Sequence, residues 1–298
     1  MLKKKGIIFL CLIIFINLFT SMVLAESNFL WQIEDIDSNI YIMGSIHALP
    51  EGHYPLSDTV ENAFAESDYL AVEVNVLELN EDEILQIVME HGYYQAGETL
   101  ADNIDEDLVS LIEERLQGFG IPEEMIFQFM QSKPWYLNII LADLEISTAN
   151  FHFDHGVDMY FLLKALEQDK EILELETMES QLLAMVNMSP ELQEEALRVE
   201  LESTVSVEEL LDDLLTAWLE ADTAQMSDLI FEDLYQNPEL EEYYTIMFDD
   251  RDLLMTDKIE EYIDEGKDVF VVVGAGHLVN KNGILLLLEE RGYSLRQM

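Results

Sequence analysis

Cysteine is almost absent from this chain. The one cysteine in 298 residues, Cys11, sits inside an apolar amino-terminal stretch, so a chain cut behind that stretch has none. Stabilising disulfides and a thiol nucleophile are thereby excluded, and Cys11 does not stand at the end of the stretch, where a lipoprotein cysteine would. Positive charge is nearly as scarce. Fourteen lysines and arginines face 62 aspartates and glutamates, for a formal net charge of −48. Phosphate contacts need clusters of basic side chains, so nucleic acid is excluded as a partner, and an anionic lipid surface would repel the chain. Several catalytic signatures are missing too: no His-Glu-x-x-His helix, no Gly-x-Ser-x-Gly elbow, and no Gly-Lys-Ser/Thr phosphate loop. No low-complexity linker and no repeat of fixed period divides the sequence, and residues 26–298 read as one domain.

The long apolar run that does occur is confined to the start. Lys3, Lys4 and Lys5 precede the apolar residues 7–19, and small residues lead to a cut after Ala25. These are the parts of a secretory signal peptide spanning residues 1–25, so export is expected, with no membrane attachment after cleavage. An uncleaved membrane anchor is the competing reading, because residues 7–24 approach the length of a span.

The whole chain is 49% hydrophobic, which is enough for a packed core. Its organising stretch is residues 268–279, where the unbroken run Val269, Phe270, Val271, Val272, Val273 reads as a strand buried on both faces. Gly274-Ala275-Gly276 follows, and then His277, an imidazole at the carboxyl end of a core strand; the third glycine of a dinucleotide loop is lacking. The pattern recurs upstream, where Ile40-Tyr41-Ile42-Met43 leads to Gly44-Ser45-Ile46-His47. Two strand-end Gly-x-x-His units are the main functional signal.

Around them the spacing predicts a hairpin of residues 29–33 and 40–43, a helix over 57–66 capped by Ser57, and a strand over 69–74 that carries Glu73 among apolar neighbours. Helices are expected from 79 to 151, over 159–168 and from 177 to 265. A strand over 171–176 ends in Glu176, and the chain closes with strand 269–273, a loop, helix 284–291 and a short strand 293–296. The fold class is α/β: a central mixed sheet with flanking helices and a large helical insertion. Asp35, Asp37 and Asn39 resemble the start of a calcium loop, but Ile40 and Ile46 stand where glycine and glutamate are required, so the segment reads as a turn.

Ligands of open α/β sheets gather beyond the carboxyl ends of the strands, where His47, Glu73, Glu176 and His277 are all expected. Two imidazoles with one or two carboxylates suit a divalent transition metal. Each residue alone could equally be a hydrogen-bonded strand tip or, for the acids, a solvated surface group. His152 and His155, beside Asp154 and Asp158, could be ligands or a polar helix entry capped by Asp154; His53 and His91 read as structural. Arg251 either neutralises its acidic neighbours or holds a substrate carboxylate or an oxyanion.

In the order and spacing of its short motifs the sequence resembles the TraB/GumN family, which includes the Tiki proteins. The resemblance rests on Leu30-Trp31, Gly44-Ser45-Ile46-His47 with Leu49-Pro50, Val72-Glu73, Lys133-Pro134-Trp135, Gly156-Val157-Asp158, Leu175-Glu176-Thr177 with Gln181, Arg251, and Gly274-Ala275-Gly276-His277-Leu278 with Gly283. It implies a fold related to the erythromycin-esterase and haem-binding ChaN groups. It also implies a metal-dependent protease using manganese or cobalt, zinc being a further possibility, with His47, Glu73 and His277 as the central residues and Glu176 and Arg251 beside them. Asp252 stands where the family often has asparagine, and Asn280 where it often has glycine.

The expectation is an exported peptidase-like metallohydrolase. His47, His277, Glu73 and Glu176 are the candidate ligands, Glu73 the alternative general base, and Arg251 the stabiliser of developing charge. A non-catalytic protein that sequesters a peptide or a haem-like ligand in the same cleft is the alternative. Metal-free ester hydrolysis with histidine as base is a third.

Overall fold

The computed structural model describes residues 27–203 and 205–298; the proposed signal peptide lies outside them. Six strands form one mixed sheet in the order β4-β3-β5-β2-β1-β6, with β1 Leu30–Glu34, β2 Ile40–Ser45, β3 Tyr69–Val72, β4 Glu171–Glu174, β5 Val269–Gly274 and β6 Ser294–Gln297. The expected hairpin is present as β1 antiparallel to β2, with Leu30 opposite Met43. β2, β5, β3 and β4 run parallel, and β6 pairs antiparallel with β1.

The two central strands explain their composition. Every residue of β2 and β5 is buried, as a parallel strand covered on both faces demands. Phe270 packs against Phe161 of the Val157–Glu167 helix at a ring separation of 4.7 Å and edge-on against Phe64 of the Asp58–Glu66 helix at 5.5 Å. Burial of such rings, at about 25 cal/mol per Å², is the main contribution holding these helices to the sheet.

Register then fixes the site. Ser45 of β2 lies opposite Gly274 of β5, and Val72 of β3 opposite both Val272 of β5 and Glu174 of β4. Four parallel strands therefore finish at one edge, and what each carries next is His47, Glu73, Glu176 or the turn to His277.

Four details differ from the sequence expectation. β3 stops at Val72 and β4 at Glu174, which leaves Glu73 and Glu176 just beyond their strands, although Leu175 N–H and Glu176 N–H still donate to the carbonyls of Val72 and Glu73 at 2.9 and 3.0 Å. His277 lies in a short helix, Ala275–Val279, and not in a loop. The helix expected over 159–168 begins at Val157, with Gly156 and not Asp154 as its cap. The helical insertion is divided: Leu108, Ile112, Leu137 and Leu141, between β3 and β4, share a separate core with Leu197 and Leu201, between β4 and β5. Periodicity along the chain cannot reveal that two distant segments pool one core. Among the described residues no helix is long and apolar enough to cross a membrane.

Candidate active site

His47 leaves β2 beside a glycine from another element. A Cβ at Gly156 would lie 2.1 Å from the His47 carbonyl oxygen, so only glycine lets the two backbones meet, and Val157 N–H donates to the Ile46 carbonyl at 3.0 Å. That contact sets the start of the Val157–Glu167 helix so that Asp158 reaches back. Its carboxylate pairs with His47 Nδ1 at 2.8 Å and accepts from Ser45 Oγ at 2.8 Å. The imidazole is thus fixed through Nδ1 while its ring stays open to the cavity, 57% of the side chain being accessible. The Asp158 charge holds the His47 pKa up to about 9, against the cost of enclosure, and solvent reaching the open ring screens part of that effect.

His277 is built the same way in a dry setting. Its Nδ1 pairs at 2.6 Å with Asp252, a carboxylate with no exposed surface, and Asn280 Nδ2 donates to the other Asp252 oxygen at 2.6 Å and to Asp249 at 2.9 Å. Tyr244 donates its hydroxyl to Asn280 Oδ1. Burial pushes Asp252 upward, opposed by the hydrogen bond and charge of His277. Asp252 and Asn280, the two departures from the resembled motif, are therefore hydrogen-bonded to each other.

Glu73 lies between the histidines. Gly274 N–H donates to its Oε1 at 2.6 Å, Arg251 Nη2 to its Oε2 at 2.8 Å, and His277 Nε2 stands 3.7 Å from that same Oε2. A Cβ added at Gly274 would lie 3.1 Å from His47 Nε2 and 3.3 Å from Glu73 Oε1, so the absence of a side chain there is what leaves room for both groups. Burial works to raise the Glu73 pKa; the charges of His277, His47 and Arg251, with the Gly274 N–H, outweigh it and hold the carboxylate below its ordinary range.

Glu176 is placed beside this group rather than facing both histidines. Its carboxylate accepts from Arg251 Nε at 3.1 and 3.2 Å, from Arg251 Nη2, and from Gln181 Nε2 at 2.8 Å. Arg251 thus ties Glu73 to Glu176, and its Nη1 donates to the Met247 carbonyl at 2.9 Å. The pair His152 and His155 stack edge-on to each other at 5.4 Å and do not line the cavity that His47, Glu73 and His277 share.

That cavity measures about 680 Å³, with His47, Glu73, Asp158, Arg251 and His277 among its polar lining and mostly aliphatic and aromatic side chains elsewhere. A large apolar recess with a few convergent polar groups is the usual form of a small-molecule or peptide site. The donor chemistry fits a divalent transition ion: two imidazoles, each oriented through Nδ1 by a carboxylate, plus a third carboxylate between them. As the side chains stand, however, no three His, Cys, Asp or Glu groups among the described residues are gathered tightly enough to hold an ion. Both Glu73 oxygens already accept hydrogen bonds.

Sequence reasoning found His47, Glu73, Glu176, Arg251 and His277 but gave no role to Asp158 or Asp252 as partners of the histidines. Asp158 had a local signal in Gly156-Val157-Asp158; among so many acids, Asp252 had none.

The sequence matches the TraB/PrgY/gumN family over residues 29–297. No curated protein and no solved structure matches the chain.

Proposed function

Because this chain belongs to the TraB/PrgY/gumN family, we propose that it is an exported hydrolase acting on acyl bonds of the peptide type, with His47, His277 and Glu73 as its reacting groups. One observation carries the reading: two imidazoles far apart in sequence, each backed by its own aspartate, flank one buried carboxylate in one cavity. Hydrolysis needs water made more nucleophilic and the scissile carbonyl polarised, and oriented imidazoles beside a carboxylate are groups that can hold a metal ion or move a proton to that end.

In this proposal His47 and His277 would hold a divalent cation, manganese or cobalt, with Glu73 either a further ligand or the base that acts on water. Bound there, the ion would supply Lewis acidity, making water more acidic and polarising a carbonyl. The chain's own residues do the rest. Asp158 and Asp252 fix the two imidazoles through Nδ1. Arg251 keeps Glu73 ionised and correctly turned, with Glu176 bracing Arg251 and Gln181 donating to Glu176. Where it is not a ligand, Glu73 accepts the proton from water. The apolar walls exclude bulk solvent, which strengthens each of these interactions. The protein would work outside the cytoplasm after cleavage behind Ala25, an inference from the amino-terminal sequence alone.

A second reading is metal-free hydrolysis with His47 as base. It is favoured by the engagement of both Glu73 oxygens with Gly274 and Arg251. Two measurements separate the readings: metal content of untagged mature protein beside His47→Ala and His277→Ala, and cleavage of a fluorogenic peptide mixture before and after chelation. The metal reading expects near one equivalent in the parent, loss in both variants, and activity that vanishes on chelation and returns with manganese or cobalt. Equal metal content in all three proteins, or full activity after chelation, removes the ion from the proposal.

A further inference from the structure

The hydrogen bonds behind His277 can run in one direction only, and the buried amide of Asn280 fixes it. Its Nδ2 lies 2.6 Å from Asp252 and 2.9 Å from Asp249, and a carboxylate only accepts, so both amide hydrogens point there. On the other side its Oδ1 receives the Asn282 N–H at 3.3 Å, a group that only donates. The amide therefore cannot be turned round, and the Tyr244 hydroxyl beside Oδ1 must give it its single hydrogen. With that hydrogen spent, the Tyr244 oxygen is left to accept from the Tyr235 hydroxyl, 3.1 Å away. The chain thus starts at the exposed side chain of Tyr235, passes through Tyr244 and Asn280, and ends on Asp252, whose other oxygen meets His277 Nδ1 at 2.6 Å.

The backbone supports this arrangement. Tyr235 comes from the Thr223–Gln236 helix, Tyr244 ends the short helix Glu241–Tyr244, and Asp252 lies in the Asp250–Asp264 helix, with a π-helical turn, Thr245–Asp249, between the last two. Such a widened turn is rare and is found most often at functional sites. Here Tyr244, Phe248 and Asp252 all reach the His277 side, the Phe248 ring lying 5.4 Å from the imidazole. Phe231, fully buried, packs edge-on against Tyr244 at 5.4 Å and Phe248 at 4.9 Å, and Lys281 Nζ stands 4.8 Å over the Tyr235 ring and 5.1 Å over that of Tyr244. Rings held on several sides keep their hydroxyls aimed. Burial, with Tyr235, Asp249 and Asp252 nearby, pushes the Tyr244 hydroxyl well above its ordinary range, so it keeps the hydrogen it donates.

From this we infer that Tyr244 is a positioning residue for His277: its hydroxyl, turned inward by Tyr235, holds Asn280 with both amide hydrogens on Asp249 and Asp252, and so aims the remaining Asp252 oxygen at His277 Nδ1. Tyr244, Asn280 and Asp252 do not line the cavity, so the tyrosine acts only through the imidazole. The effect on turnover rests on the hydrolase reading; the effect on the imidazole does not.

The test compares the mature parent with Tyr244→Phe, Tyr235→Phe, Asn280→Ala and the double variant Tyr244→Phe/Asn280→Ala, each checked for cooperative unfolding. Histidine NMR follows the His277 Nδ1–H, identified by its absence from His277→Ala, and peptide cleavage gives kcat and KM. Tyr244→Phe is expected to move the Nδ1–H signal upfield, as the hydrogen bond to Asp252 loosens, and to lower kcat about tenfold with KM unchanged, the effect of one buried hydrogen bond. Tyr235→Phe leaves Tyr244 its hydrogen and is expected to move the signal less. The double variant is expected to move it no further than Asn280→Ala alone, since the tyrosine works through that amide. If the signal moves as expected while the parent cleaves nothing, the positioning role stands and the hydrolase reading fails. An unmoved signal in folded Tyr244→Phe, a moved signal with the parent's full kcat, or a further shift in the double variant overturns the inference. Should Tyr244→Phe not fold, Asn280→Ala decides: a moved His277 signal there upholds the chain, and an unmoved one overturns it.

Discussion

If the chain is the hydrolase proposed, Glu73→Gln is expected to lower peptide turnover by at least about a thousandfold and to leave the protein folded. The glutamine amide would keep the volume of the Glu73 carboxylate and could still offer a carbonyl oxygen to the Gly274 N–H, which now donates at 2.6 Å. What disappears is the negative charge that the two imidazoles and Arg251 face, and with it any ability to ligate a cation or take a proton. Arg251 would keep its contacts with Glu176 and the Met247 carbonyl, so the guanidinium is not stranded. The expected loss of stability is about 1–3 kcal/mol, that of one charged hydrogen bond in a buried site. Thermal unfolding and kcat measured on the same preparation separate the two effects. Near-parental kcat in a folded Glu73→Gln protein would take Glu73 out of the chemistry.

The second large effect belongs to a residue that touches no substrate. Asp252→Asn is expected to lower kcat by about a hundredfold or more with little change in KM. Asp252 has no exposed surface and holds His277 through Nδ1 at 2.6 Å. A carboxylate there accepts the Nδ1–H, which in the neutral form of the imidazole leaves Nε2 with its lone pair toward Glu73 and the cavity. An asparagine amide can present its own N–H to Nδ1, reversing the tautomer and putting a hydrogen on Nε2, where a base or a ligand is needed. Asn280 adds to the conflict, because its Nδ2 donates to the second Asp252 oxygen at 2.6 Å and would meet another amide. Histidine NMR gives the readout that a merely structural role would not move: the Nδ1–H of His277 is expected in the parent and the Nε2–H form in the variant. The same tautomer in both, with unchanged kcat, would remove Asp252 from the account.

How much of this was visible in the sequence follows from the kind of signal each residue carries. β2 and β5 announce themselves as apolar runs because both their faces are buried, and the histidines stand out because each follows a glycine just past such a run. Glu73 was legible as a charge among apolar neighbours, and its burial agrees. The partners were not legible. Asp158 reaches His47 because Gly156 permits a backbone contact between elements more than a hundred positions apart, and Asp252 reaches His277 across the packing of two helices. Those are tertiary facts, and with 62 acidic residues in the chain neither aspartate differs from its neighbours by composition. The cation in Arg251 was equally ambiguous: only the structure shows its nitrogens divided between Glu73 and Glu176, which makes it a brace for the carboxylate as well as a charge. The short helix carrying His277 was read as loop because Gly274-Ala275-Gly276 signals a turn, and one helical turn of five residues leaves no periodicity to detect.

The two imidazoles are proposed above all to work as one unit, and a double-substitution cycle measures that directly. His47→Ala, His277→Ala and the combined variant are compared with the parent in kcat/KM for peptide cleavage, each checked for cooperative unfolding. Groups that act together fail together, so each single variant is expected to lose at least about a thousandfold and the double variant hardly more than either. A single variant that keeps near-parental activity, or losses that simply multiply in the double, would contradict it.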